Sequence, residues 1–81
     1  MKVIVNISLK EGVLDPEGQA IKTSLSHLGF ENLNYVRTGK QIILDFEKLE
    51  ENEAVLKAKK MCEDLLVNTV IEKYKINILR N

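Results

Sequence analysis

Apolar and polar side chains alternate near both ends of this chain, and this alternation constrains the fold more than any other feature. At the start, the apolar members are Val3, Val5, Ile7 and Leu9. At the end, residues 71–79 alternate through Tyr74, Ile76 and Ile78. A period of two places every second side chain on one face of a β-strand. Because a chain of 81 residues has room for only one core, we expect a single domain over residues 1–81.

Two segments between these strands carry the helical period. The pair Asp15-Pro16 predicts the start of the first helix, because aspartate caps a helix N-terminus and proline suits the first helical position. Gly29 predicts its end. The apolar stripe of this helix consists of Ile21, Leu25 and Leu28. The stripe of the second helix consists of Val55, Ala58, Cys62, Leu65 and Leu66. Asn52 is the expected cap of the second helix.

The segment around Gly39 is predicted to be extended, but its course stays open. The apolar members of its alternating pattern are Ile42, Leu44 and Phe46. Gly39 interrupts the pattern before them. It is either the turn of a hairpin that joins residues 33–38 to residues 40–47, or a bend or bulge in one long strand.

The predicted order of elements is β-α-β-(β)-α-β, where the bracketed strand depends on the role of Gly39. The fold class is α+β. We expect a two-layer sandwich, with a mostly antiparallel sheet and both helices on one face. The other face then stays uncovered and carries Ile4, Ile43 and Leu79. Apolar residues on an open sheet face are typical of a surface that meets a partner.

The composition excludes several classes of protein. Twelve basic and twelve acidic residues leave no net charge to attract a polyanion, so we expect no nucleic acid as partner. No apolar run approaches the roughly 20 residues of a membrane helix, and the short apolar start is typical of a strand rather than a signal peptide. We therefore expect a soluble, cytoplasmic protein with no membrane partner.

The chain has few residues of the types that most often act in catalysis or bind metals. One cysteine and one histidine exclude an internal disulfide and a four-ligand His/Cys zinc site within one chain. Cys62 lies on an apolar stripe, which favours a buried and inert thiol. His27 has no second histidine to work with. We expect no catalytic residue, and stabilisation by association with partners, because so small a domain buries little surface alone.

The stretch from residue 36 to residue 40 is the most informative polar segment. Arg37 and Lys40 flank Gly39 within extended structure. A solvated turn and a contact patch for a carboxylate or phosphate both fit this arrangement.

Four blocks of the chain resemble the PurS family, the small subunit of phosphoribosylformylglycinamidine synthase. They are LKEGVLDPEGQA (9–20), LGF (28–30), VRTGKQI (36–42) and MCEDLLVN (61–68). The blocks occur in one register over essentially the whole chain. Thr69 stands where relatives often carry proline.

The resemblance implies a subunit of a glutamine-dependent, ATP-consuming C–N ligase of de novo purine synthesis. A large synthetase subunit binds ATP and magnesium, and a glutaminase subunit releases ammonia. The small subunit forms a homodimer or a higher oligomer, bridges the other two subunits and couples ammonia release to ammonia use. It contributes no catalytic residue and no cofactor site. From the matched motifs, the candidate partner contacts are Asp15, Pro16, Gly18, Arg37, Gly39 and Lys40.

A second class of function also fits the pattern. Many small sandwiches dimerise and bind an amino acid where a glycine-rich turn meets a helix N-terminus, and residues 12–18 imitate such a turn. The alternative prediction is thus a dimeric small-molecule-binding regulatory module. Gly18 lies in the first helical turn, where backbone N–H groups hold anions.

Overall fold

A computed structural model describes residues 1–80 as a three-stranded antiparallel sheet with two α-helices. The elements are β1 (Lys2–Leu9), α1 (Pro16–His27), β2 (Gly39–Asp45), α2 (Glu51–Met61), a π-helical turn (Cys62–Leu66) and β3 (Glu72–Leu79). The strand order is β2-β1-β3. The predicted α+β class and the order β-α-β-α-β are confirmed. No helix within residues 1–80 is both long enough and apolar enough to cross a membrane.

One face of the sheet forms the core, and the predicted alternation selects it. In β1, Val3, Val5 and Ile7 are buried. The antiparallel register sets Val5 opposite Ile42 on one side and Ile76 on the other. Every second residue of the three strands therefore faces inward, as the period of two requires.

The helix α2 covers this face. Its buried residues are Ala54 and Ala58, and Cys62 continues the same line into the π-helical turn. Small side chains at these positions let the helix lie close to the sheet. The turn closes with the Val67 N–H donating to the Cys62 carbonyl at 3.0 Å, and the Val67 side chain is buried in the core. The prediction of a buried Cys62 is confirmed.

The other sheet face is open, as predicted. Ile4 lies opposite Ile43 in the register, and Leu79 lies opposite Lys2. Ile43 and Leu79 are exposed.

The first helix begins and ends as its sequence predicts. Asp15 is its N-cap and Pro16 its first residue. Gly29 adopts a φ of +96°, a left-handed conformation that favours glycine. The Phe30 N–H donates to the Leu25 carbonyl at 3.0 Å, which is the hydrogen bond expected of a Schellman motif.

The position of α1 differs from the prediction that both helices lie on one sheet face. Only Gly18 is buried among its residues, and α1 makes only marginal contact with the strands. The radius of gyration is 16.2 Å, whereas a compact domain of this length has about 12 Å. We call residues 16–38 the arm, and the sheet with α2 and the π-helical turn the body. Periodicity predicted an apolar stripe on α1 but not which surface would cover it.

Two local predictions are wrong. Residues 33–38 form no strand, and Gly39 is the first residue of β2, so it is neither a hairpin turn nor a bend in one long strand. The polar groups of this segment bond to side chains elsewhere, such as the Asn34 carbonyl to the Lys22 ammonium at 2.8 Å. The helix α2 begins at Glu51 after Glu50, so Asn52 lies inside it and is not its cap.

Candidate functional site

The carboxylate of Asp15 ties the start of α1 to the segment before β2. Asp15 is only 4% exposed. Its Oδ1 accepts the Gly18 N–H at 2.8 Å, and its Oδ2 accepts the Thr38 N–H at 2.7 Å. The Thr38 hydroxyl donates to the same carboxylate at 3.0 and 3.2 Å. We call Asp15, Gly18, Val36, Arg37 and Thr38 the Asp15 junction.

These hydrogen bonds keep the carboxylate charged. The Thr38 N–H, and after it the Gly18 N–H, lower the pKa of Asp15 from its usual 3.8, against the opposing effect of burial. The Thr38 hydroxyl and the positive charge of Arg37 lower the pKa further. Each donor stabilises the ionised form because it points at the anion. Asp15 is therefore an anion at neutral pH.

Gly18 lies in the junction because nothing larger fits there. A Cβ at this position would lie 2.1 Å from the Val36 carbonyl oxygen. Its N–H already bonds to Asp15, so this donor of the first helical turn is satisfied within the chain. This arrangement counts against an anion site at Gly18, and so against the alternative of a small-molecule regulatory module.

The guanidinium of Arg37 clamps the loop that follows β1. Nη1 donates to the Val13 carbonyl at 2.7 Å, and Nη2 donates to the Lys10 carbonyl at 3.1 Å. The fork thus joins the segment before β2 to the segment before α1. Both carbonyls belong to this chain, so Arg37 has a structural use that the sequence did not reveal.

Gly39 and Lys40 lie beside the junction at the start of β2. A Cβ on Gly39 would lie 2.8 Å from the Ile7 carbonyl oxygen, so the close strand approach requires glycine. The Lys40 ammonium lies 3.7 Å from Glu72, in an exposed ion pair. The structure therefore brings four of the six candidates together at or next to the carboxylate (Asp15, Pro16, Gly18 and Arg37) and places the other two on the adjoining strand. Their role as partner contacts stays a prediction.

The arm presents apolar side chains that nothing in the described chain covers. Leu28 is 74% exposed and Tyr35 is 72% exposed. Others in the arm with substantial exposure are Ile21, Phe30 and Leu33, and Leu14 next to the arm is exposed as well. The sequence predicts an apolar stripe through Ile21 and Leu28 and a helix that packs on the sheet, so it gives no indication that this surface would be exposed. The spacing of Ile21, Leu25 and Leu28 is enough to predict an apolar face on the helix. It does not indicate which surface covers that face.

A groove of about 380 Å³ runs between the arm and the loop after β1. Its walls include Leu14, Lys22, Tyr35 and Arg37. No cluster of three or more His, Cys, Asp or Glu side chains that suits a metal ion occurs in the part of the chain that the structure describes. Burial, followed by the nearby charge of Glu63, raises the pKa of the Cys62 thiol. A raised pKa makes the thiolate, the reactive form, scarcer.

The fold and the junction together define a class: small α+β proteins in which a helical arm stands apart from a three-stranded antiparallel body. Comparison with known proteins narrows this class to one family. The model of the PurS family, described as phosphoribosylformylglycinamidine (FGAM) synthase, matches residues 2–80. The chain belongs to the PurS family, and the resemblance seen in its sequence is confirmed.

The curated relatives cover nearly the whole chain. The PurS subunit of phosphoribosylformylglycinamidine synthase from Bacillus subtilis is 46% identical over 77 residues, which is 95% of this chain and 90% of the relative. The PurS subunit from Archaeoglobus fulgidus is 47% identical over 72 residues, which is 89% of this chain and 90% of the relative. The similarity to PurS subunits therefore extends over nearly the whole chain.

Solved structures agree with the fold. PurS of Methanocaldococcus jannaschii, described as one of the subunits of formylglycinamide ribonucleotide amidotransferase in the purine biosynthetic pathway, has a TM-score of 0.88 at 40% identity. The match covers 99% of this chain and 96% of that one. A chain in the structure of PurLQS from Thermotoga maritima has a TM-score of 0.86 at 33% identity, covering 96% of this chain and 95% of that one.

Proposed function

We propose that this chain is the non-catalytic small subunit of a phosphoribosylformylglycinamidine synthase complex in the cytoplasm. In this proposal it forms a homodimer or a higher oligomer and bridges a large synthetase subunit and a glutaminase subunit. The large subunit binds ATP and magnesium. The small subunit couples the release of ammonia from glutamine to its use in the synthetase site.

The apolar surface of the arm is the observation that carries this proposal. Large contiguous apolar surfaces mark sites of association. A chain whose radius of gyration of 16.2 Å exceeds that of a compact domain has not buried this surface on itself. Family membership supplies the kind of assembly, since the relative from Thermotoga maritima was solved as part of PurLQS.

Coupling by assembly has a physical basis. Ammonia that is released in one subunit and used in another is diluted by solvent unless the two sites are held together. Holding two sites in one complex replaces a dilute encounter with a high effective concentration. A bridging subunit contributes to rate in this way without touching the reacting atoms.

The test is an assay of product formation from two nitrogen sources, with and without this chain. We expect glutamine-dependent synthesis to require the chain, and synthesis from concentrated free ammonia to proceed without it. Loss of both activities on omission would mean that the chain helps to build the synthetase site. No loss of either activity would refute the proposed role. Omission of the glutaminase subunit is the control, because it removes only the glutamine-dependent reaction.

A further inference from the structure

The orientation of the arm is set at its base. Packing does not fix it, because α1 makes only marginal contact with the strands. What holds it is a set of polar contacts at the Asp15 junction and the bond from Lys22 to the Asn34 carbonyl. The second of these lies within the arm itself. The junction therefore lies where the two ends of the arm meet, next to the start of β2 and the loop after β1.

The junction connects two segments that are far apart in sequence, the loop between β1 and α1 and the segment before β2. Asp15 precedes α1, Thr38 precedes β2, and the Lys10 and Val13 carbonyls that accept from Arg37 belong to the loop after β1. Two carboxylate oxygens accept from two backbone donors of different segments, so one side chain fixes their relative position. At Gly18 the close approach of the Val36 carbonyl leaves no room for a side chain.

We propose that Asp15 is a positioning residue for assembly, which holds α1 and its apolar surface at the angle at which they meet a second copy of this chain. The matched motifs make Asp15 a candidate partner contact. A side chain 4% exposed, with both oxygens occupied within the chain, does not suit that role. The inference rests on the proposed function for its biological use, but its structural content is tested separately.

The variants separate the junction from the apolar surface. D15N keeps the shape of the side chain, but its amide nitrogen cannot accept a hydrogen bond, so one backbone N–H of the junction loses its partner. G18A disturbs the same junction by steric conflict without changing charge. D45N makes the same chemical change at an exposed carboxylate of β2 and is the matched control. L28E removes apolar contact and leaves the junction intact.

The first measurement is amide hydrogen exchange resolved by segment. L28E is compared with L28E/D15N, because neither variant is expected to associate strongly. Any difference in exchange between them then comes from the junction and not from association. We expect residues 16–38 of the double variant to lose protection by about tenfold or more, while β1, β3 and α2 keep theirs, because local opening at the base frees the arm without unfolding the body. G18A should act in the same direction, and D45N should match the unaltered chain.

The second measurement is the dissociation constant of the oligomer by sedimentation. We expect D15N and G18A to raise it by about tenfold or more, which corresponds to 1.4 kcal/mol, while D45N leaves it unchanged. Equal loss of protection in body and arm would make Asp15 an ordinary stability residue and overturn the proposal. Unchanged exchange and unchanged association in D15N would overturn it too. If the unaltered chain failed to support glutamine-dependent synthesis, the proposed function would fall while the exchange result still decided the role of Asp15.

Discussion

The body and the arm of this chain use similar apolar patterns to different ends. In the body, the alternating residues of three strands meet α2, and Val3 and Val5 are completely buried. In the arm, an equally regular helical stripe leaves Leu28 largely exposed. Apolar periodicity thus indicates that a face will be covered, and it does not indicate whether the covering surface belongs to the same chain.

The two regions also differ in what fixes their geometry. The body is held by strand pairing and by non-directional apolar packing, which many side chains share. The arm is held by a few directional hydrogen bonds at the Asp15 junction. Loss of one side chain in the body should therefore lower the free energy of unfolding. Loss of one side chain at the Asp15 junction should instead change the orientation of the arm.

The largest expected effect on folding comes from Ile7→Ala in the body. Ile7 is 2% exposed, and truncation leaves a cavity beside Cys62 and Val67. We expect the free energy of unfolding in urea to fall by about 2–5 kcal/mol. Leu28→Ala in the arm, measured below the concentration at which the chain associates, should change it by about 0.5 kcal/mol or less. Similar costs at both positions would remove the distinction between body and arm.

The largest effect on association is expected from Leu28→Glu. A charge in an apolar interface must be desolvated, so we expect sedimentation to show at least a tenfold weaker oligomer, about 1.4 kcal/mol. Circular dichroism should show an unchanged fold. Ile43→Glu on the open sheet face is the matched comparison, since it tests whether that face contributes as well. A Leu28→Glu chain that associates normally would mean that the arm is not the interface.

Cys62→Ala should have a moderate effect on stability and none on assembly. The thiol is buried in the body, and its replacement removes one sulfur atom from the core. We expect a loss of about 1 kcal/mol in urea unfolding. In the unaltered chain, a thiol reagent should react only as fast as the body opens. A well-folded Cys62→Ala variant without glutamine-dependent activity would contradict a purely structural role.

Acid should loosen the arm, whereas changes of pH near neutrality should not affect it. Because the pKa of Asp15 is lowered in the folded chain, its contribution is fully present above its usual value of 3.8 and is lost as pH falls through the lower folded value. Arg37 is the charged group that faces it. We expect the protection of α1 against hydrogen exchange to be constant from pH 7 to pH 5, after correction for intrinsic rates, and to decline only below 3.8. A decline near pH 6 would indicate a different titrating group.

The smallest effect on stability is expected from Lys40→Ala. Its ammonium lies 3.7 Å from Glu72 and is well exposed. Exposed ion pairs contribute about 0–1 kcal/mol, so urea unfolding should barely change. Binding to the larger subunits is the informative measurement, because Lys40 remains a candidate contact. Unchanged binding together with unchanged stability would leave the residue without a role in assembly.

Much of the body could be predicted from the sequence. Period-two alternation at Val3, Val5 and Ile7 predicted the strand and its buried face, and the stripe through Ala58 and Cys62 predicted the helix that covers it. Asp15, Pro16 and Gly29 marked the ends of α1 correctly. These successes share a cause: propensity, capping and periodicity depend on neighbours in the chain, so the sequence states them directly.

Other features of the chain depend on contacts that form only in the folded structure. The segment at residues 33–38 had the pattern of a strand, yet its polar groups bond to Asp15 and Lys22 rather than to a neighbouring strand. The burial of Asp15, the fork of Arg37 and the separation of α1 from the sheet likewise depend on contacts between residues far apart in sequence. Local patterns were enough to predict which faces are apolar and where α1 begins and ends, because those properties depend on neighbours in the chain. Which surface each face meets is set by long-range contacts, and for the arm we propose that the surface belongs to another chain.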